Sequence, residues 1–235
     1  MYQDVTVVIP FSGGPEDRLR GFFAVRDNCT RELPGARIVT AALADCYPTS
    51  YTPSVYFQRD TLTGPLQMLN LLAFTAATPI LLFNNADCWL TGEQLRGAVE
   101  QVRRGADLVY PYDGRFIDCA EPGQWEGAAV LHPHSIAGAQ MVKRESFFTL
   151  GGWDEHFTGA GPDDLELYRR FERYAGWIAR MPGPLWHYRH ANVSYAERWK
   201  SDQAWRDYHA YLERVTALPD DEALARIRGM AWATI

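Results

Sequence analysis

Apolar positions along the chain come in two rhythms. Val5–Phe11 (VTVVIPF) is β-branched and almost continuously apolar, the pattern of a strand covered on both faces. Ser12–Pro15 breaks it, and a helix is expected from about Glu16 to Arg31. Arg37–Leu43 and Ser54–Arg59 read as the next strands. Gly64-Pro65 then opens a helix running to about Ala77, with Leu66, Leu69, Ala73 and Ala76 on one buried face. Ile80–Phe83 is another buried strand. Thr91 and Gln94 form a capping box for a helix whose stripe is Leu95, Ala98, Val99 and Val102. Asp107–Tyr112 is a further strand. Strand–helix alternation at this rhythm predicts an α/β fold with a mainly parallel central sheet.

The second half changes character. Glu121–His134 is rich in Gly, Pro and aromatic residues and reads as a long irregular loop. Ala139–Lys143 is a short strand, Asp163–Tyr174 a helix behind Gly159–Pro162, and Trp177–Arg180 a strand. Ser194–Glu197 reads as a second capping box, opening a helix to about Val215 with Trp205, Tyr208, Leu212 and Val215 on one stripe. Asp220–Arg228 forms a last helix. No linker separates two domains. The expected organisation is a domain over residues 1–195 with a helical extension, 196–235, packed on it.

Composition narrows the classes. The chain has 235 residues, 47% of them apolar and 22% charged, which excludes wholesale disorder. A net charge of −6 gives no sign of a nucleic-acid footprint, which needs clustered basic residues. No apolar run approaches the ~20 residues of a bilayer span, and the first residues lack the form of a signal peptide. The four cysteines, at 29, 46, 88 and 119, have no zinc-knuckle spacing and fit free thiols in a reducing cytoplasm. The runs around Arg169–Arg173 read as a solvated helix face. Trp153, Trp177, Trp186, Trp199 and Trp205 read as core, and Trp125 as the tryptophan nearest a ligand.

In an open α/β sheet ligands bind beyond the carboxyl ends of the strands, so the residues there are the candidates. Asn84–Asp87 follows Ile80–Phe83: Asp87 could hold a divalent cation, or the stretch could be an Asx turn. Trp186–His190 offers His187 and His190, which suit a transition metal; in an extended strand they would face opposite ways. Asp163 and Asp164 start a helix behind a glycine loop, where they either complement the helix dipole or supply a general base. Pro10 and Phe11, with Arg59 and Asp60 at another strand end, could meet a base or a phosphate.

Taken in order, these segments resemble a glycosyltransferase of the GT-A fold. The resemblance is to the family 2-like group, and within it to the β-1,4-galactosyltransferase and chondroitin polymerase branch. It spans about residues 5–191 and lies in VVIPF, MLNLLAFTAATPILLFNNADCWL, GAQMVKRESFFTLGGWDEHFTGAGPDDLELYRRF and HYRH. It implies a Rossmann-like nucleotide-sugar-binding fold and a Mn²⁺ or similar divalent cofactor. Asp87 matches the metal-binding acid of the DxD signature, with Asn85 in place of the first acid and Ala86 between them. His190 matches the family's ligand histidine, and His187 a second ligand position. Asp164 matches the catalytic base and Asp163 the acid that meets the acceptor. Pro10 and Phe11 lie where uridine diphosphate is held. The reaction implied is inverting transfer of a galactose- or N-acetylgalactosamine-type hexose from a UDP-sugar to an acceptor hydroxyl. Ala160 replaces the aromatic residue which that branch places against the acceptor. Two other readings stay open: a sugar-phosphate nucleotidyltransferase, disfavoured by the weakly basic Ser12–Arg18 loop, and a non-catalytic nucleotide-sugar-binding module, favoured only by Asn85.

Overall fold

The structure, a computed structural model, describes residues 1–11, 16–43, 55–57, 64–158, 161–189, 202–230 and 232. Along the chain the elements are β1 (Val5–Pro10), α1 (Glu16–Glu32), β2 (Arg37–Leu43), β3 (Val55–Phe57), α2 (Pro65–Thr75), β4 (Ile80–Asn84), β5 (Cys88–Trp89) and α3 (Gly92–Arg103). There follow β6 (Leu108–Tyr110), β7 (Phe116–Cys119), β8 (Ala129–His132), β9 (Ala139–Lys143), α4 (Arg144–Thr149), α5 (Asp163–Tyr174), β10 (Ile178–Arg180), β11 (Leu185–Tyr188), α6 (Gln203–Thr216) and α7 (Asp220–Gly229).

The seven-stranded central sheet has the order β10-β6-β9-β4-β1-β2-β3. β9 is antiparallel to β4 and β6, and every other neighbouring pair is parallel. β1 and β4 lie at the centre and are buried on both faces, which is why their sequences run apolar without alternation. The carboxyl ends of β1, β4, β6 and β10 therefore share one edge with the start of β9. A second, four-stranded sheet, β5-β11-β7-β8, stands against that edge. The Thr91 capping box is present, the Thr91 hydroxyl accepting from Gln94 N. Among the described residues no helix is long and apolar enough to cross a membrane.

Several expectations change. The second sheet was not legible: β8 lies inside the expected loop 121–134, and every residue in it is exposed, so no burial alternation marks it. Arg170 leaves the expected solvated face. It is buried and paired bidentately with Glu166, because its helix stripe turns toward α7. Trp177, expected in the core, is 41% exposed at the head of edge strand β10. The Ser194–Glu197 capping box, Trp199 and the 195/196 boundary lie outside the described residues. In those that are described, α6 starts at Gln203 with Asp202 as its cap.

Candidate active site

Asp87 sits in the turn that leaves β4. The turn is closed by Cys88 N donating to Asn85 O (3.1 Å), and Asn85 N donates to Gly138 O (2.8 Å) on the strand alongside. Gly138 has φ +88°, and a Cβ there would lie 3.0 Å or closer to Leu185, Cys88 and Phe116. Only glycine lets β9 begin this close to the turn. The Asn84 amide donates to Asn85 O and Cys88 O, which ties the turn together from its nitrogen rather than through the side-chain oxygen of an Asx turn. The same turn buries Ala86 and aims the Asp87 carboxylate inward, while Asn85 stays exposed.

His187 reaches Asp87 through the second sheet. Register places His187 opposite Cys88 on one side and Asp118 on the other, and Tyr188 N donates to Asp87 O (2.8 Å). His187 Nδ1 lies 3.1 Å from Asp118 Oδ1, and Asp118 also accepts from Arg189 Nε (2.7 Å). A carboxylate only accepts, so in the neutral ring this contact puts the proton on Nδ1 and makes Nε2 the lone-pair atom, the one that can accept a hydrogen bond or meet a cation. That atom is 3.9 Å from Asp87 Oδ2, beyond hydrogen-bond range. Arg18, on α1, stands 3.6 Å from the same oxygen. A carboxylate oxygen and an imidazole nitrogen facing each other across such a gap suit a Mn²⁺-like cation. Among the described residues no three His, Cys, Asp or Glu side chains are grouped to hold a metal.

The acidic pair opens α5. Asp164 accepts from Gln140 Nε2, and Gln140, on β9, also donates to Ile136 O (2.7 Å). Burial pushes the Asp163 carboxyl up to about 7. Burial first, then the Asp163 charge, pushes Asp164 well above the usual carboxylate range, against the Gln140 hydrogen bond. Asp163 and Asp164 are half-buried as whole residues. A carboxyl titrating near neutrality is matched to general-base work. Asp87 and Asp164 converge on Cys88: burial pushes its thiol up, and both carboxylates push it further.

Of the residues singled out in the sequence, Asp87, His187, Asp163 and Asp164 are thus drawn to one edge, with Asn85 and Ala86 in the turn beside them. Pro10 ends β1 at that edge. The Phe11 ring is buried and stacks on Phe22 at 4.6 Å. Arg59, Asp60 and His190 lie outside the described residues. Sequence reading missed Arg18, Asp118 and Gln140. Gln140 alone had a signal, as a polar residue inside an apolar strand. The cavity of about 470 Å³ between α5, α6 and α7 is a different feature. Its arginines are matched by Glu166, Glu172, Asp154 and Asp220, so it presents no unbalanced charge.

This sheet order, with an acidic turn at its carboxyl edge, matches the GT-A glycosyltransferase fold. Residues 127–224 match the family described as glycosyltransferase like family 2. No curated protein matches the chain by sequence. Among solved structures, a mannosyltransferase from Pyrobaculum calidifontis in complex with GDP-Man and Mn²⁺ has a TM-score of 0.58 at 16% identity, covering 97% of this chain and 73% of its own. Glucosyl-3-phosphoglycerate synthase from Mycobacterium tuberculosis, with Mn²⁺, UDP and glucosyl-3-phosphoglycerate, has 0.56 at 15%, covering 92% and 81%. A Drosophila β-1,4-galactosyltransferase 7 variant with manganese, UDP-Gal and xylobiose has 0.53 at 11%, covering 85% and 79%.

Proposed function

We propose that this chain is a divalent-metal-dependent, inverting glycosyltransferase of the β-1,4-galactosyltransferase-like branch. It moves a galactose- or N-acetylgalactosamine-type hexose from a UDP-sugar to an acceptor hydroxyl. The observation that supports this most is the joint placement of Asp87, His187 and Asp164 at the carboxyl edge of β4 and β9, with both carboxylates bearing on Cys88. The similar folds that hold nucleotide sugars with Mn²⁺ support it too, and the GDP-Man example makes the donor base part of the test.

In this reading Asp87 and His187, with His190, hold the cation, and Asp118 keeps His187 Nε2 turned toward it. The cation, when bound, neutralises charge developing on the leaving diphosphate. Asn85 and the ends of β1 and β3, at Pro10, Phe11, Arg59 and Asp60, line the nucleotide. Arg18 adds a cationic group beside Asp87. Asp164 takes the proton from the attacking acceptor hydroxyl at its free carboxylate oxygen, while Gln140 fixes the other. Asp163 orients the acceptor. The three described free cysteines, all buried, fit a reducing cytoplasm. Residues 1–195 form the transferase domain and 196–235 its helical extension.

The test is nucleotide release from UDP- and GDP-sugars with Mn²⁺, with and without chelator, in the wild type and in Asp164→Asn. Metal-dependent UDP release that the substitution abolishes is expected. Release that ignores both chelator and substitution would overturn the reading.

A further inference from the structure

We propose that Arg180 is an anion-binding residue at the acceptor end of the site, pairing with a carboxylate or phosphate carried by the acceptor. The inference rests on the glycosyltransferase reading and adds a substrate class to it. Arg180 closes β10, the outermost strand, at the carboxyl edge that also carries Asp87 and, through Gln140, Asp164. It stands two strand spacings from Gln140's strand, roughly 10 Å, on the side away from β1 and its nucleotide end.

Its guanidinium is held but not neutralised. The group lies 4.5 Å over the Tyr110 ring and 5.9 Å from the centre of Tyr112, and Nη1 donates to Ser135 O (3.1 Å). Stacking and one bond to a carbonyl restrict the side chain and leave its other N–H groups available. The arginines elsewhere around the edge are matched: Arg18 with Asp87, Arg115 with Asp113, Arg189 with Asp118. Among the described residues no carboxylate lies within 4 Å of Arg180. Burial pushes the Tyr112 phenol up and its Ser135 hydrogen bond lowers it, with Asp164 adding to the push and Arg180 opposing it. An acceptor presenting a hydroxyl to Asp164 and an anionic group to Arg180 would satisfy both ends. A forked guanidinium suits the planar carboxylate and the phosphate alike.

The experiment is calorimetric titration of glucose, glucuronate and glucose 6-phosphate into protein saturated with UDP and Mn²⁺, for wild type, Arg180→Gln and Arg180→Lys. Wild type is expected to bind at least one anionic sugar about tenfold or more tighter than glucose, the scale of one charge-assisted pair. Which of the two it favours separates carboxylate from phosphate. Arg180→Gln is expected to fall to the glucose level and Arg180→Lys to keep part of the preference, both binding UDP as wild type does. Equal binding of the three sugars, binding of none, or a preference that survives Arg180→Gln overturns the assignment while UDP binding stands. A wild type that does not bind UDP overturns the glycosyltransferase reading itself.

Discussion

Asp163 and Asp164 reverse the usual behaviour of surface carboxylates. Both are raised by burial, so the folded chain binds protons that the unfolded chain releases. Stability from this pair is therefore present below the ordinary carboxylate range and lost as pH rises from about 3.8 through about 7. Asp163→Asn should raise the melting temperature at pH 8 by a few degrees, with the gain vanishing toward pH 4 in thermal melts. A gain that grew as pH fell would contradict the burial account. In the proposed reaction the same two groups carry the acceptor chemistry. The rate of sugar transfer should rise with pH on an acidic limb set well above the ordinary carboxylate range, and Asp164→Asn should cost about 10²–10⁴-fold in kcat with UDP binding unchanged by calorimetry.

Between elements, the loop ahead of the acidic pair is gripped from the C-terminal helices. The Tyr208 hydroxyl on α6 accepts from Thr158 N (3.2 Å) and bonds Thr158 Oγ1 (2.8 Å), while its ring packs on Phe157. A Cβ on Gly161 would meet the Tyr208 ring at 3.0 Å and Phe157 at 3.2 Å. Gly161→Ala should slow transfer, and adding Tyr208→Ala should recover part of the loss, because the second change removes the obstacle. A strictly additive double variant would count against this contact. One turn further along α5, buried Glu166 is paired with Arg170, and Arg226 of α7 reaches both Glu166 and Asp154. Arg226→Ala leaves two carboxylates short of a partner and should cost about 3 kcal/mol in urea unfolding. These contacts tie the last helices to the loop and helix that carry the acidic pair.

At the scale of the whole molecule, the two sheets divide the work. The large sheet supplies the edge, and the small one brings in His187 with Asp118 behind it. Mn²⁺ should therefore raise the melting temperature more in the presence of UDP than without it, since a ligand held only by the folded state stabilises it in proportion to binding. That increment should disappear with chelator and shrink in Asp87→Ala. An increment untouched by Asp87→Ala would move the cation elsewhere.

The sequence by itself marked the central sheet, because strands covered by neighbours are mostly apolar: Arg37–Leu43 and Ala139–Lys143 have the bounds their patterns predict, and the first strand ends at Pro10, one residue before the expected Phe11. It also marked Asp87, His187, Asp163 and Asp164, whose residue types and order are themselves the signal. What it left open was how they meet. β8 hides among exposed residues, and Arg170 sits in a run that reads as solvated. Asp118 meets His187 from 69 positions away and Gln140 meets Asp164 from 24. Local pattern records which face of an element is covered. It holds no record of which distant side chain covers it: strand pairing brings Asp118 to His187, and the seating of the start of α5 beside β9 brings Asp164 to Gln140.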